Sequence, residues 1–389
     1  MHPTDTGERL WTAPYAVLCV ATLGYFTASG MMMPVLPRLV VGPLHGSAVD
    51  VGAAALTFGV ATLAARIPMV RLAARWSERS VLTAGCLLLV AGSLLLLVPV
   101  LPAVFGSRLL IGAADAAFYT TSVDSAYRLA PRIRRASAVS YLSLTVYVGL
   151  LAGPVAGEAI RVRLGFDAVW TVAALVAAGS AVLVGRGPAT PAAAVTGPVE
   201  KVAWRTGMSA QLALLAFLFV VCTYGTDGYL LFVPLYAESL GQPDATVYFV
   251  ALIGSTLLLR PGAARWLDRS RPEPTSFLAL AAITGGLLVV AVAVSPAGLL
   301  AGTILLGCGQ ALGFPALLHL AAGRTAAGQR TLVIAVATAC NSATFGFAGL
   351  TLGPIVQVAG FGAAFLTCAG IGAAGLVALT LSSFRRVRT

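Results

Sequence analysis

Long apolar segments alternate with short polar stretches along the whole chain of 389 residues. A helix needs about 20 mostly apolar residues to cross a bilayer, so we predict that each long segment is a membrane-spanning helix. The twelve predicted segments cover residues 11–36, 49–65, 81–100, 103–127, 137–160, 167–185, 208–235, 245–264, 275–294, 297–320, 331–357 and 361–383. The pattern therefore predicts an all-α polytopic membrane protein, with the lipid bilayer as its surroundings.

The composition excludes a soluble domain. Hydrophobic residues make up 58% of the chain and charged residues only 10%. A soluble domain of this size carries about 25% charged residues. A soluble core is too small to bury so much apolar surface, and the mean hydropathy of +0.91 agrees with a membrane protein.

The basic residues are distributed unevenly between the two sides of the predicted membrane. Of the 25 Lys and Arg residues, 21 fall in the termini, the central linker or loops on the same side. Basic loops stay in the cytoplasm, so both termini are predicted to be cytoplasmic. The net charge of +11 would also suit nucleic acid, but this distribution argues against such a partner and favours contact with lipid.

A short charged stretch occurs twice. Residues 66–75 and 260–269 share three arginines in register, 194 residues apart: Arg66 with Arg260, Arg71 with Arg265, and Arg75 with Arg269. The second copy also carries Asp268, where the first has Ala74. Each copy follows the second predicted helix of its half, which indicates a duplicated membrane protein.

Other repeats support the duplication. The sequence Gly149-x-x-x-Gly153-Pro154 recurs 200 residues later, and Gly165-Phe166 recurs 195 residues later. Pro37 at the predicted end of segment 1 matches Pro234 at the end of segment 7. We therefore predict six-helix bundles at 1–185 and 208–389, joined by a cytoplasmic linker at 186–207.

Both charged copies resemble the cytoplasmic loop motif of the major facilitator superfamily, roughly Arg-Pro-x-x-Gly-Arg-Leu-Ala-Asp-Arg. The first copy departs from it at Val70, Ala74 and Ser77. The resemblance implies two parallel six-helix repeats, alternating access, and a substrate site between the halves near the membrane midplane. It assigns conformational roles to Arg66, Arg71, Arg75, Gly149, Gly153, Pro154, Gly157, Arg260, Arg265, Asp268 and Arg269.

Residues 149–157 resemble the helix 5 motif that marks the proton-coupled drug-efflux branch of this family. Glycines four residues apart let two membrane helices approach closely. Pro154 removes a backbone hydrogen bond and bends its helix. Ordinary tight packing between helices is the alternative interpretation of the same residues.

Three ionisable residues within predicted helices are candidates for proton coupling: Asp227, Asp115 and Arg108. Charged groups inside a membrane are costly and face a partner or a wet cavity. Burial favours the neutral form of a carboxyl group, so we predict Asp227 as the proton carrier. Asp115 lies two helical turns from Arg108, which resembles the Arg of the family's helix 4 motif, and is predicted to bind substrate or this Arg. Snorkelling of Arg108 and hydroxyl partners for the acids are the alternatives.

The predicted substrate-binding residues lie on helices that line the cavity in this family. They combine the two acids with aromatic and amide side chains: Tyr25, Asp115, Tyr119, Tyr147, Tyr224, Asp227, Gln310 and Asn341. Packing between helices accounts equally well for the aromatic side chains, and neighbouring helices satisfy the amides as readily as a substrate.

The predicted function is export of a small organic molecule, a drug or metabolite, by proton antiport. Uptake of a sugar or other nutrient is the alternative, and a non-transporting membrane receptor or membrane enzyme is a remote one. No cofactor, metal or enzymatic activity is predicted, since the three His and six Cys residues are scattered along the chain. Abundant Ala, Gly and Arg indicate a bacterial cytoplasmic membrane, where we predict a monomer.

Overall fold

The structure is a computed structural model that describes residues 10–73, 76–131, 134–187, 210–267, 269–324 and 330–387. The regular secondary structure of these residues is entirely helical. The helices are α1 (Ala13–Val41), α2 (Ala48–Ala73), α3 (Glu78–Leu95), α4 (Leu101–Leu129), α5 (Arg135–Leu164), α6 (Phe166–Arg186), α7 (Ala210–Ser239), α8 (Thr246–Leu267), α9 (Pro272–Val292), α10 (Pro296–Arg324) and α11 (Arg330–Val387).

The last helix contains two membrane spans. Gly360 has a φ of 81°, in the left-handed region that favours glycine, and it separates a first arm (330–359) from a second arm (361–387). Within the described residues, ten helical segments are long and apolar enough to cross a membrane, one of them 41 residues long over Ala343–Ser383, and Thr246–Arg260 is a shorter apolar helix. Counting the two arms separately gives twelve spans, so the predicted all-α fold is confirmed.

The predicted ends of several helices were wrong. The charged motif was expected to be a loop, but α2 continues through Arg66, Pro68 and Arg71, and α8 likewise continues to Leu267. Arginine is a good helix former, so a helix that leaves the membrane extends through such a sequence. Helix α1 also runs past Pro37 to Val41, because neighbouring helices and side chains can satisfy the backbone groups that a proline frees within a membrane.

The chain divides into two compact units. Unit 1 comprises Met1–Leu36 and Val60–Thr196, and unit 2 comprises Pro37–Gly59 and Gly197–Thr389. The end of α1 and the first part of α2 thus belong with α7–α11. Most of the predicted linker at 186–207 lies outside the described residues.

In unit 1, α3 packs between α4 and α6. Gly85 and Gly92 allow close contact with α4, because a Cβ at Gly85 would lie 3.0 Å from the Cβ of Phe118. Helix α1 is fixed to α5 by the Tyr15 hydroxyl, which donates to the carbonyl of Ala138 at 2.7 Å. The core around these contacts is aromatic and fully buried at Trp170 and Phe118.

In unit 2, α10 packs against α9 and α8, and α7 packs against α11. Gly286 and Gly302 bring the backbones of α9 and α10 together. The hydroxyls of Tyr229 and Thr303 share a buried hydrogen bond between α7 and α10. These contacts leave α7 enclosed on several sides, and the first candidate site lies on this helix.

Candidate functional site

Asp227 lies near the middle of α7, half-buried against the first arm of α11. The hydroxyl of Thr344 donates a hydrogen bond of 2.6 Å to its Oδ2. Thr223, one turn earlier on α7, places its Oγ1 3.0 Å from Oγ1 of Thr344. The same Thr223 hydroxyl lies 3.1 Å from the carbonyl oxygen of Phe219. A buried row of hydroxyls therefore ends on the carboxylate.

No countercharge accompanies this carboxylate in the part of the chain that the structure describes. Its one polar contact there is the hydroxyl of Thr344, and it takes part in none of the ion pairs between described residues. An isolated ionised carboxylate within a membrane is costly. The surroundings of Asp227 therefore favour a group that can become neutral by binding a proton.

Two further predicted residues of unit 2 have protein partners. The Gln310 amide on α10 donates to the hydroxyl of Thr226 and, at 3.2 Å, to the carbonyl of Cys222. Tyr224 is 2% exposed, and its hydroxyl shares a hydrogen bond of 2.6 Å with Thr351 on α11. These contacts hold α7 against α10 and α11 around Asp227.

Asp115 on α4 has different surroundings in unit 1. It is half-buried, and no hydrogen-bond donor reaches its carboxylate among the described residues. Its carboxylate interacts electrostatically with Arg66 of α2. Sequence analysis assigned Asp115 to a substrate or to Arg108 of the same helix, and this assignment stays a prediction.

An aromatic cluster surrounds this part of unit 1. The rings of Tyr25 and Phe118 are parallel, with their centroids 4.0 Å apart. Phe26 contacts Phe118 edge-on at 6.5 Å and Tyr119 at 6.1 Å. The Tyr25 hydroxyl is fully buried without a hydrogen-bond partner among the described residues, whereas Tyr119 is 37% exposed.

The other predicted residues are placed as follows. Arg108 and Tyr147 are half-buried on α4 and α5, Arg260 is half-buried on α8, and Arg269 is exposed. Arg71, Arg265 and Asn341 lie in helices whose side chains at these positions are not described. Arg75 and Asp268 lie outside the described residues, as does Ala74.

The glycines of the α5 motif face α1. A Cβ at Gly153 would lie 2.6 Å from the carbonyl oxygen of Thr27 and 2.7 Å from the Cα of Gly30. A Cβ at Gly157 would lie 2.8 Å from the Cα of Met31. No larger residue fits at these positions unless the helices separate, so the motif creates a close contact between α5 and α1.

Sequence reasoning missed two ion pairs at equivalent places in the two units. In unit 1, Arg128 at the end of α4 pairs with the buried Glu78 at the start of α3. In unit 2, Arg324 at the end of α10 lies 3.7 Å from Glu273 at the start of α9. The two glutamates are 195 residues apart and the two arginines 196, which matches the other repeats. That spacing is the signal by which the sequence identifies them.

We expect the Arg128→Gln variant to unfold at a clearly lower temperature than the wild-type protein. The substitution leaves Glu78, which is 7% exposed, without its cation, at a cost of about 3 kcal/mol. Asp124→Asn is the matched control, because Arg128 also pairs with this exposed carboxylate at 2.5 Å, and exposed pairs contribute less than about 1 kcal/mol. Thermal unfolding of the purified protein in detergent measures both, and equal melting temperatures would contradict the structural role of Glu78.

A third ion pair joins the ends of α1 and α7 in unit 2. Arg38 is 5% exposed. Its guanidinium donates to the carbonyl of Pro234 at 3.2 Å and lies 3.3 Å from a carboxylate oxygen of Glu238. Sequence analysis gave this Arg no role. A buried arginine with a carbonyl acceptor and an ion-pair partner on one neighbouring helix is a structural contact between α1 and α7.

With the helices, acids and glycine contacts established, comparison with known proteins decides the family. A sequence model of the Major Facilitator Superfamily matches residues 18–298. The chain belongs to the major facilitator superfamily. The members of this family are multi-pass membrane transporters, which agrees with the predicted absence of an enzymatic role.

Solved structures of this family share the fold. The nucleoside transporter NupG has a TM-score of 0.81 at 14% identity, covering 95% of this chain and 99% of that one. A POT family transporter in complex with 5-aminolevulinic acid has a TM-score of 0.76 at 12% identity, with 95% of each chain covered. A D-xylose-proton symporter has a TM-score of 0.74 at 15% identity, covering 94% of this chain and 95% of that one. At these identities the likeness shows the fold alone.

Proposed function

We propose that this transporter exports a small organic molecule from the cytoplasm in exchange for protons. The observation that carries the proposal is Asp227: a carboxylate within a membrane-spanning helix, hydrogen-bonded by a hydroxyl and without a countercharge among the described residues. An ionisable residue in such a place marks an ion or substrate pathway. Binding and release of a proton there couples the proton gradient to the transport cycle.

The direction of transport is supported by the α5 motif. Gly153 and Gly157, which contact α1 closely, belong to the motif that resembles the drug-efflux branch. The positive-inside distribution supports cytoplasmic termini. With this orientation, inward proton flow drives the substrate outward.

The substrate class is supported by the surroundings of Asp115. A carboxylate without a hydrogen-bond donor among the described residues lies on the helix whose Phe118 and Tyr119 belong to the aromatic cluster. Aromatic faces and carboxylates both attract cations. An organic cation or a neutral amphiphile fits this chemistry better than a polyanion does.

Proton-driven uptake of a nutrient is the second candidate. The fold neighbours include a D-xylose-proton symporter and the nucleoside transporter NupG. A protonatable acid on α7 would serve a symporter equally well. The direction of flux relative to the proton gradient separates these two candidates.

Membrane vesicles that contain the protein test the proposal. Everted vesicles with an acidic interior should accumulate ethidium, a fluorescent organic cation, and collapse of the pH gradient should stop the accumulation. Vesicles without the protein provide the control. Accumulation of labelled xylose or uridine by right-side-out vesicles, with no ethidium transport by everted ones, would replace the proposal with proton-driven uptake.

A further inference from the structure

The hydroxyls beside Asp227 form a row whose hydrogen bonds can be arranged in two ways. Thr344 is 1% exposed and Thr223 is 8% exposed. Each hydroxyl has one hydrogen to donate and oxygen lone pairs to accept with. The distances along the row are 2.6 Å from Thr344 to Asp227, 3.0 Å from Thr223 to Thr344, and 3.1 Å from Thr223 to the carbonyl of Phe219.

When Asp227 is ionised, every donor in this row has an acceptor. Thr344 donates to the carboxylate, and Thr223 donates to the oxygen of Thr344. When Asp227 is protonated, its O–H can donate to Thr344, Thr344 can donate to Thr223, and Thr223 can donate to the carbonyl of Phe219. The two patterns differ by one proton on Asp227 and by rotation of two hydroxyl groups.

We propose that Thr344 and Thr223 form a reversible hydroxyl pair that holds Asp227 in place in both of its protonation states. They are positioning residues, and the proton itself is bound by Asp227. In both protonation states Asp227 then keeps a hydrogen bond to Thr344. This inference rests on the proposed proton-coupled function and names two residues that serve it.

The other titratable groups on the helices around Asp227 leave this assignment intact. Within the described residues, most of them are thiols and phenols near the middle of these helices, and these groups are neutral at physiological pH. Another group is His319, nine residues beyond Gln310. The thiols and phenols are Cys222, Tyr224, Tyr229, Cys308, Cys340 and Cys368. One more phenol, Tyr236, lies nearer the end of α7 and donates to the carbonyl of Val290. Charged residues on the same helices lie at the helix ends: Glu238, Glu273, Arg324, Arg330, Arg385 and Arg386.

The test measures protonation directly, without a transported substrate. Infrared difference spectroscopy follows the C=O stretching band of protonated carboxyl groups while purified protein in liposomes is titrated with acid. The band of Asp227 is the one that the Asp227→Asn variant lacks. Its midpoint gives the proton concentration at which half of the Asp227 groups are protonated.

Removing the Thr344 hydroxyl should lower this proton concentration. Hydrogen bonds to a charged acceptor are roughly twice as strong as those between neutral groups, so the hydroxyl stabilises the ionised carboxylate more than the protonated one. For Thr344→Val we expect a midpoint at about tenfold lower proton concentration, which corresponds to about 1.4 kcal/mol. Thr344→Ser keeps the hydroxyl and should titrate like the wild-type protein.

Two further variants complete the experiment. Thr223→Val should shift the midpoint in the same direction by a smaller factor, about threefold, because its hydroxyl acts through Thr344. Thr367→Val is the matched control, since among the described residues that hydroxyl on the second arm of α11 bonds only to the carbonyl of Ala363 in its own helix. It should leave the midpoint unchanged.

A wild-type midpoint in Thr344→Val would overturn the hydroxyl pair while leaving the carrier role of Asp227 intact. If Thr344→Val does not fold, Thr223→Val decides in the same way. If the Asp227→Asn variant shows every titrating band of the wild-type protein, Asp227 is not a proton carrier. The proposed role of the hydroxyl pair is then also wrong. The vesicle experiments with ethidium remain a separate test of export.

Discussion

The Asp227→Asn variant is expected to exchange substrate across the membrane but not to concentrate it. Asparagine has nearly the same shape as aspartate, and its carbonyl oxygen can accept the hydrogen bond from Thr344. It cannot bind and release a proton at physiological pH. A transporter that carries one proton per cycle gains about tenfold in accumulation for each pH unit of gradient, and the variant should lose this entire gain.

The measurement compares ethidium accumulation in liposomes with and without a pH gradient, at equal amounts of protein. Exchange of labelled for unlabelled substrate without a gradient reports binding and conformational cycling. Asp115→Asn is the matched control in the other unit. It should weaken the apparent affinity for the cation but keep the dependence on the gradient. Accumulation by Asp227→Asn at the wild-type level would show that another group carries the proton.

The twelve spans could be predicted from sequence because the bilayer imposes a length and an apolar composition on every helix. The break between the last two spans was also visible, since Gly360-Phe361 repeats Gly165-Phe166 of the first half. Both glycines have a positive φ in the structure. The helices therefore break at equivalent places in the two halves through glycines with positive φ.

The ends of the helices were less predictable. A proline or a group of arginines was interpreted as the end of a helix, yet α1 passes Pro37 and α2 includes Arg66 and Pro68. Within a membrane the penalty for an unsatisfied backbone group exceeds the local preference of a single residue. Local sequence signals therefore predict the ends of such helices too early.

Individual residues of the candidate site could be predicted from the sequence, but their partners in space could not. The acid Asp227 was visible as a charge within an apolar segment, but its partner Thr344 lies 117 residues away on another helix. Any of the threonines along α11 was an equal candidate before the packing was known. The Glu78–Arg128 pair was within reach, because its counterpart recurs at the repeat spacing.

The two copies of the glycine motif should respond differently to the same substitution. In the first copy, Gly153 of α5 packs against Gly30 of α1, and both helices belong to the predicted N-terminal bundle. In the second, Gly349 of α11 packs against Gly52 of α2, where a Cβ would lie 2.5 Å from the carbonyl oxygen of Gly52. This contact joins two halves of the sequence, and we infer that it separates during the proposed transport cycle.

We expect Gly153→Ala to lower the melting temperature, because overpacking a permanent contact costs about 1–3 kcal/mol. Gly349→Ala should change the melting temperature less. The protein can avoid the clash by adopting the conformation in which α2 and α11 are apart, so the cost is limited to the few kcal/mol or less that separate the two conformations. Transport should fall about tenfold or more in this variant, since the conformation with the helices together becomes rare.

Thermal unfolding and initial transport rates of the two purified variants in liposomes test this contrast. Gly179→Ala in α6 and Gly370→Ala in the second arm of α11 are matched controls, because a Cβ at either position meets no atom within 4 Å. Both controls should keep wild-type stability and transport. If Gly349→Ala loses as much stability as Gly153→Ala, the contact between α2 and α11 is permanent, and alternating access must use another pair of helices.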